Sequence, residues 1–327
     1  MAVTTLKAYL MAIPGPFPEK AEKDTLVENQ ILFQMLKPLT QDAQYASSNF
    51  AVMYLRPTQA NYAGWNLDKP RFSASVLKST VLYAAYELRN RAKLAAPGMK
   101  ADVVLGNLEA AWKPIVQHAV AGPANFPKLA EIFEPYTSTV DFRDDFLADL
   151  KSMATYSNTE ASGRVIAKLG HQYINGVLAK QGLYSRQKSG LWVGGNYNQI
   201  AWHPSPGHSS YYTATPRALL RYLNLLYNNS LITTEVSKEM KSTLANFYSE
   251  RIWTNTPGEY DDAKSYGKLG WEYMKNTKIK ILYDAAVIAR TSSSGNFDYG
   301  IVIQGLTASI FSKLVVELDN IMVGFHP

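Results

Sequence analysis

The chain has 327 residues, 46% of them hydrophobic and 18% charged, with a net charge of +6. That is length and apolar content enough for a sizeable core, as one large domain or two small ones, and it argues against extensive disorder. The basic residues are scattered rather than run together, which argues against a nucleic-acid arm, and a mildly basic surface attracts anionic substrates or membrane surfaces only weakly. No cysteine is present, so disulfides, thiolate metal sites and cysteine nucleophiles are excluded. The first residues lack a basic region followed by a long apolar stretch, so they show no signal peptide. A periplasmic or secreted location follows if one has been removed, a cytoplasmic one otherwise. No apolar run reaches the length of a membrane span.

In chain order, a Pro-rich lead-in (Pro14 to Pro18) precedes apolar residues at helical spacing: Leu26, Ile31, Leu32, Met35 and Leu36. Pro38 is expected to end that helix. Phe50 to Leu55 reads as a buried strand and Tyr62 to Asn66 as a weaker one. From Ser75 the pattern is helical, with Leu77, Val81, Ala84, Ala85 and Leu88 on one face. The stretch from about Leu94 to Asp149 reads as mostly helical, divided by prolines, and Arg164 to Leu178 as one further amphipathic helix. Gln181 to Thr215 is rich in Gly, Ser, Pro and Asn and reads as a long loop, followed by a helix over Pro216 to Tyr227. Ile279 to Ala289 and Tyr299 to Leu306 read as strands joined by a hairpin loop at Ser292 to Asn296. A final helix packs through Ile310, Leu314, Val315, Leu318 and Ile321.

This order predicts an α/β (α+β) fold: an antiparallel sheet formed by both chain ends, flanked by helices, with an inserted all-α lobe. The expected division is 1–72 and 216–327 for the sheet domain and 73–215 for the helical lobe with its loop, the active site lying between them.

Ser-x-x-Lys occurs at Ser75–Lys78, Ser185–Lys188 and Ser265–Lys268. Only the first stands at the start of an apolar helix just after paired strands. Ser and Lys three apart share a helix face. A helix N-terminus stabilises developing negative charge, and a Lys buried there has its pKa lowered by desolvation, which makes it a usable base. The competing reading is a capping Ser and a snorkelling Lys.

The stretch from Ala63 through Ser75 to Lys78 resembles the segment leading into the nucleophile of class A β-lactamases, within the penicillin-recognising serine hydrolases. That resemblance implies the β-lactamase/transpeptidase-like fold, with Ser75 as nucleophile and Lys78 as its proton acceptor. The family's second motif, Ser-Asp-Asn, is matched by Ser157-Asn158-Thr159, which implies a proton-shuttling role for Ser157 and substrate contacts at Asn158 and Thr159. Thr159 departs from the family's Asn. A different register reads Tyr156-Ser157-Asn158 as the Tyr-x-Asn of class C enzymes and esterases, with Tyr156 as base. The third motif, Lys-Thr-Gly, is best matched by Lys268-Leu269-Gly270-Trp271. By resemblance Lys268 binds a substrate carboxylate or tunes Ser157, Gly270 permits close backbone approach, and the N–H groups of Trp271 and Ser75 form an oxyanion hole. Leu269 departs from the motif hydroxyl. Arg290-Thr291-Ser292 is a rival with one strand too few after it. Tyr212 to Leu219 is similar to the family's helix start downstream of the site loop.

Class A enzymes use a loop Glu to release the acyl-enzyme, and here no Asp or Glu occurs between Glu160 and Glu235. The resemblance with this gap argues against efficient β-lactamase turnover. Three readings remain: a serine hydrolase acting on an ester or amide, a slow-turnover penicillin-binding or peptidase-like protein, and a non-catalytic ligand-binding relative. His203 and His208 lie in the loop without acidic neighbours. Tyr184, Trp192, Tyr197, Trp202, Tyr211 and Tyr212 fit an apolar acyl pocket or plain lobe packing. The expected partner is a small-molecule ester, amide or β-lactam, with no metal, no cofactor and no nucleic acid; oligomeric state is left open.

Overall fold

The computed structural model describes residues 26–57, 59–95, 100–107, 127–135, 137–185, 189–195, 197, 212–245, 264–274, 276–292 and 295–325. The chain divides into two compact units, Ala21–Leu77 with Tyr212–Pro327, and Met1–Lys20 with Lys78–Tyr211.

The first of these units is built on a six-stranded sheet. Its strands are β1 (Leu26–Glu28), β2 (Asn49–Leu55), β3 (Ala60–Trp65), β9 (Lys264–Tyr273), β10 (Lys280–Ser292) and β11 (Gly295–Thr307), in the order β1-β3-β2-β11-β10-β9. Pairing is antiparallel from β3 to β9, as Phe50↔Trp65 and Gly270↔Tyr283 illustrate. The edge strand β1 departs from the expected antiparallel pattern and runs parallel to β3. The short strands β4 (Arg71–Phe72) and β8 (Tyr212–Ala214) pair separately, antiparallel.

Strand alternation sends Phe50 and Val52 of β2, with Ile301 and Ile303 of β11, to one face. There they meet Leu32, Leu36 and Leu39 of α1 (Gln30–Gln41) and Phe311, Leu314, Leu318 and Met322 of α9 (Ala308–Gly324). Each such side chain contributes roughly 1.5–3 kcal/mol by leaving water. On the other face β2 and β11 pack against α7 (Pro216–Tyr227), where a Cβ on Gly300 would lie 3.8 Å from Leu223. Helix α7 starts on a Thr215 cap with Pro216 in its first turn, and α8 (Thr234–Ala245) packs on β9.

Three helix boundaries differ from expectation. Leu26, expected on the first helix, lies in β1, and α1 begins at Gln30. Pro38 lies inside α1, which runs on to Gln41; the last turn survives the lost N–H because Leu39 is buried against the sheet. The single helix expected over Arg164 to Leu178 is two. α5 (Thr159–Leu169) and α6 (His171–Lys180) are split by Gly170 at φ 80, a conformation that costs a glycine little.

The second unit is mostly helical within its described residues. Central to it is α2 (Lys78–Ala95), against which α4 (Asp144–Thr155), α5 and α6 pack. The expected apolar stripe of α2 is buried, but so are Tyr83, Tyr86 and Glu87 on its other sides, and Arg91 holds the Glu87 carboxylate at 2.7 Å. Phe142 joins the helices through ring contacts with Tyr86, Phe133 and Phe146 at 5.6, 5.7 and 5.4 Å. The intervening α3 (Leu129–Ile132) is a single turn. The expected long loop after α6 contains the short strands β5 (Tyr184–Ser185), β6 (Ser189–Gly190) and β7 (Trp192–Val193). The expectations for Pro14 to Pro18, His203, His208, Trp202 and Tyr211 fall outside the described residues.

Candidate active site

Ser75 stands in the 3-10 turn Ala74–Leu77, and α2 begins at Lys78. Ser75 and Lys78 are thus three residues apart along one helical run. The other two Ser-x-x-Lys matches lack such a setting. Ser265–Lys268 lies on strand β9, and Ser185–Lys188 includes residues outside the described ones.

On the sheet side, β9 passes tightly over the turn that carries Ser75. A Cβ at Gly270 would lie 2.6 Å from the Ser75 nitrogen, 2.9 Å from Ala74 Cβ and 3.0 Å from the Ser73 oxygen. Any larger residue would push this turn away from the strand, which is the physical requirement for glycine here. Lys268 is buried on the same strand, its Nζ donating to the Leu269 carbonyl at 3.1 Å. Trp271 is 47% exposed, with Lys280 Nζ 4.8 Å from its ring centroid. Arg290–Ser292 ends β10, so β11 is the sole strand after it, whereas β10, β11 and α9 all follow Lys268.

On the helical side, Lys78 is fully buried, and its Nζ donates to the Ser157 carbonyl at 2.7 Å and to Ser157 Oγ at 3.4 Å. The Tyr197 ring covers the amine, with its centroid 4.6 Å from Nζ. Burial lowers the Lys78 pKa from 10.5 to about 7, since the charged form loses its hydration. A neutral amine donates two N–H groups and keeps one lone pair, which is the form a proton acceptor needs.

The other residues of the second motif are divided in their duties. Asn158 caps α5, its Oδ1 accepting from Ala161 N at 2.9 Å. Thr159 is the first residue of that helix and exposed, while Tyr156 ends α4 with its side chain 73% exposed. Of the two proton-shuttle registers, it is Ser157, not Tyr156, whose groups meet the Lys78 amine.

Three residues here adopt left-handed backbone although none is glycine: Ala74 at φ 42, Ser157 at φ 56 and Tyr197 at φ 58. Each costs on the order of 1–3 kcal/mol and persists only where surrounding structure enforces it. Sequence reasoning named Tyr197 only as one aromatic among several; nothing in its spacing to Lys78 signals the contact. Tyr184 and Trp192 of the same aromatic group pack on one another at 4.9 Å, and Tyr212 packs against Phe72 at 6.1 Å. Among the described residues no cluster of acidic and histidine side chains is arranged to hold a metal ion.

Residues 146–302 match a family model described as the β-lactamase enzyme family. Among solved structures, a β-lactamase from Sphaerobacter thermophilus is 14% identical at a TM-score of 0.54, covering 90% of this chain and 99% of that one. A β-lactamase from Chitinophaga pinensis is 12% identical at a TM-score of 0.59, covering 88% and 98%. PBP-A is 12% identical at a TM-score of 0.55, covering 91% and 98%. No curated protein matches the sequence. The chain thus shares the fold of these β-lactamases and of PBP-A, and its residues 146–302 are similar to the β-lactamase enzyme family.

Proposed function

We propose that the chain is a serine hydrolase that forms an acyl-enzyme at Ser75 with an ester or amide substrate. The observation that carries this reading is the buried Lys78 amine, pKa about 7, held by Ser157 three residues along a helical run from Ser75. In the first half-reaction the neutral Lys78 takes the Ser75 hydroxyl proton as Oγ attacks the substrate carbonyl. The N–H groups of Ser75 and Trp271 receive the developing oxyanion. Ser157 passes the proton from Lys78 to the leaving group as the carbonyl–leaving-group bond breaks. Lys268 attracts an anionic part of the substrate, and the chain at Asn158 and Thr159 borders it. In the second half-reaction Lys78 accepts a proton from water attacking the Ser75 ester and returns it to Ser75 Oγ as the acyl–Oγ bond breaks and the acid leaves. Without a carboxylate between Glu160 and Glu235, no loop acid assists that step, which favours simple esters over a penicilloyl ester.

A slow-turnover penicillin-binding reading stands beside it. One PBP-A structure, of a point mutant, is an acyl-enzyme complex with penicillin G, and this chain has the same fold. Intact-protein mass spectrometry after penicillin G, and turnover of a p-nitrophenyl ester, separate the readings, with Ser75→Ala as control. Ester turnover abolished by Ser75→Ala without a lasting penicillin adduct is the expected result. A lasting adduct requiring Ser75 favours the penicillin-binding reading. Neither adduct nor turnover would sink both and leave a non-catalytic relative.

A further inference from the structure

The β9–β10 hairpin gathers apolar surface where a soluble edge strand ordinarily carries charge. Trp271 is 47% exposed, Tyr273 59%, Met274 46% and Ile279 46%, four of the ten large apolar side chains exposed among the described residues. The tip is built to hold them outward. Met274 N donates to the Ile279 carbonyl at 2.8 Å, and Thr277 N closes the turn onto the Met274 carbonyl at 3.0 Å. Asn276 supplies the left-handed turn residue at φ 62. Strand alternation puts Trp271 and Tyr273 on one face, in edge contact at 5.2 Å, and Met274 on the other. The hairpin thus offers apolar groups on both faces.

The charges at the tip are all of one sign. Lys278 and Lys280 interleave with Ile279 and Ile281, and no Asp or Glu occurs in the sequence from Tyr273 to Tyr283. The nearest carboxylate, Glu272, accepts the Tyr283 hydroxyl. Lys280 lies over the Trp271 ring and opposite Tyr273 in register, so cation and aromatic are displayed together. Aromatic residues flanked by lysines are the composition that settles at a bilayer's headgroup level, and lysines near an anionic leaflet add attraction. We propose that this hairpin docks the protein on the surface of an anionic lipid bilayer. No helix among the described residues is long and apolar enough to cross a membrane, so the contact is a surface one. At about 3.3 Å per strand residue, Tyr273 lies roughly 10 Å along β9 from Gly270, which itself abuts the Ser75 nitrogen. Docking therefore brings the nucleophile's turn close to the interface, where amphiphilic substrates concentrate. Binding does not depend on Ser75 chemistry, so it is tested apart from the hydrolase reading.

The experiment is sedimentation of the whole chain with phosphatidylcholine vesicles, with and without phosphatidylglycerol, at low and raised salt. Binding should require phosphatidylglycerol and weaken with salt. Lys278→Gln with Lys280→Gln should reduce partition roughly 30-fold, from the usual contribution of a lysine at such a surface. Met274→Ser with Ile279→Ser should abolish it while soluble-ester turnover stays at the parent rate, which also reports that the variant is folded. Absence of binding to the anionic vesicles, or binding untouched by both variants, overturns the proposal. So does a concentration-dependent dimer that Met274→Ser with Ile279→Ser dissociates, since a second copy would then be the occupant.

Discussion

Replacing Lys78 by methionine tests the central electrostatic claim without relying on any substrate. The parent's unfolded chain holds the Lys78 proton up to about 10.5, whereas the folded chain releases it near 7. Over that window the unfolded state binds more protons, so parent stability rises with pH. Below pH 7 both states are protonated and the burial penalty is complete: the shift corresponds to about 5 kcal/mol. Methionine has similar length and no charge, so the variant lacks the penalty. It also loses the bonds to the Ser157 carbonyl and Oγ, a cost of about 2 kcal/mol for the pair. Lys78→Met should therefore be more stable than the parent by about 3 kcal/mol at pH 6, the difference shrinking to about zero by pH 9. Urea unfolding followed by tryptophan fluorescence at pH 6, 7, 8 and 9 measures it. A variant less stable at pH 6, or a difference flat across that range, would refute a buried, neutral-leaning amine. Ester turnover should meanwhile fall by about two to four orders of magnitude, the usual worth of a general base.

Three further outcomes follow from the same geometry. Ester turnover should rise with pH through about 7 as Lys78 loses its proton, and Tyr197→Ala, by admitting water over the amine, should move that limb toward higher pH; an unmoved pH–rate profile would show that the ring does not shield it. Gly270→Ala should cost roughly 1–3 kcal/mol of stability and most of the turnover, because its Cβ would meet the Ser75 nitrogen at 2.6 Å; parent-like kinetics would contradict the close approach. Asn158→Ala should destabilise by about 1 kcal/mol through loss of the α5 cap, read in thermal or urea unfolding, and a variant as stable as the parent would contradict the Asn158 Oδ1 to Ala161 bond.

Local chemistry determined much of this protein. The apolar run at Phe50 to Leu55 is a buried strand because β-branched and aromatic residues cover both faces of the sheet, and Thr215-Pro216 starts a helix because one caps and the other pre-sets φ. The Ser75–Lys78 pair was visible as a motif at a helix start. Tertiary structure decided the rest. Whether Pro38 ends a helix depended on Leu39 finding a place under the sheet, and that is a property of packing rather than propensity. The single helix expected over Arg164 to Leu178 broke at Gly170 because one residue in left-handed backbone redirects the chain, and its neighbours' periodicity carries no trace of it. Ser-x-x-Lys recurs at Ser265–Lys268, where the same letters lie along a strand. Most of all, the character of Lys78 is absent from its sequence neighbours. A lysine's charge is governed by water, and what removes water here is Ser157, in the turn between α4 and α5, and the ring of Tyr197, residues far along the chain that only folding brings to the amine.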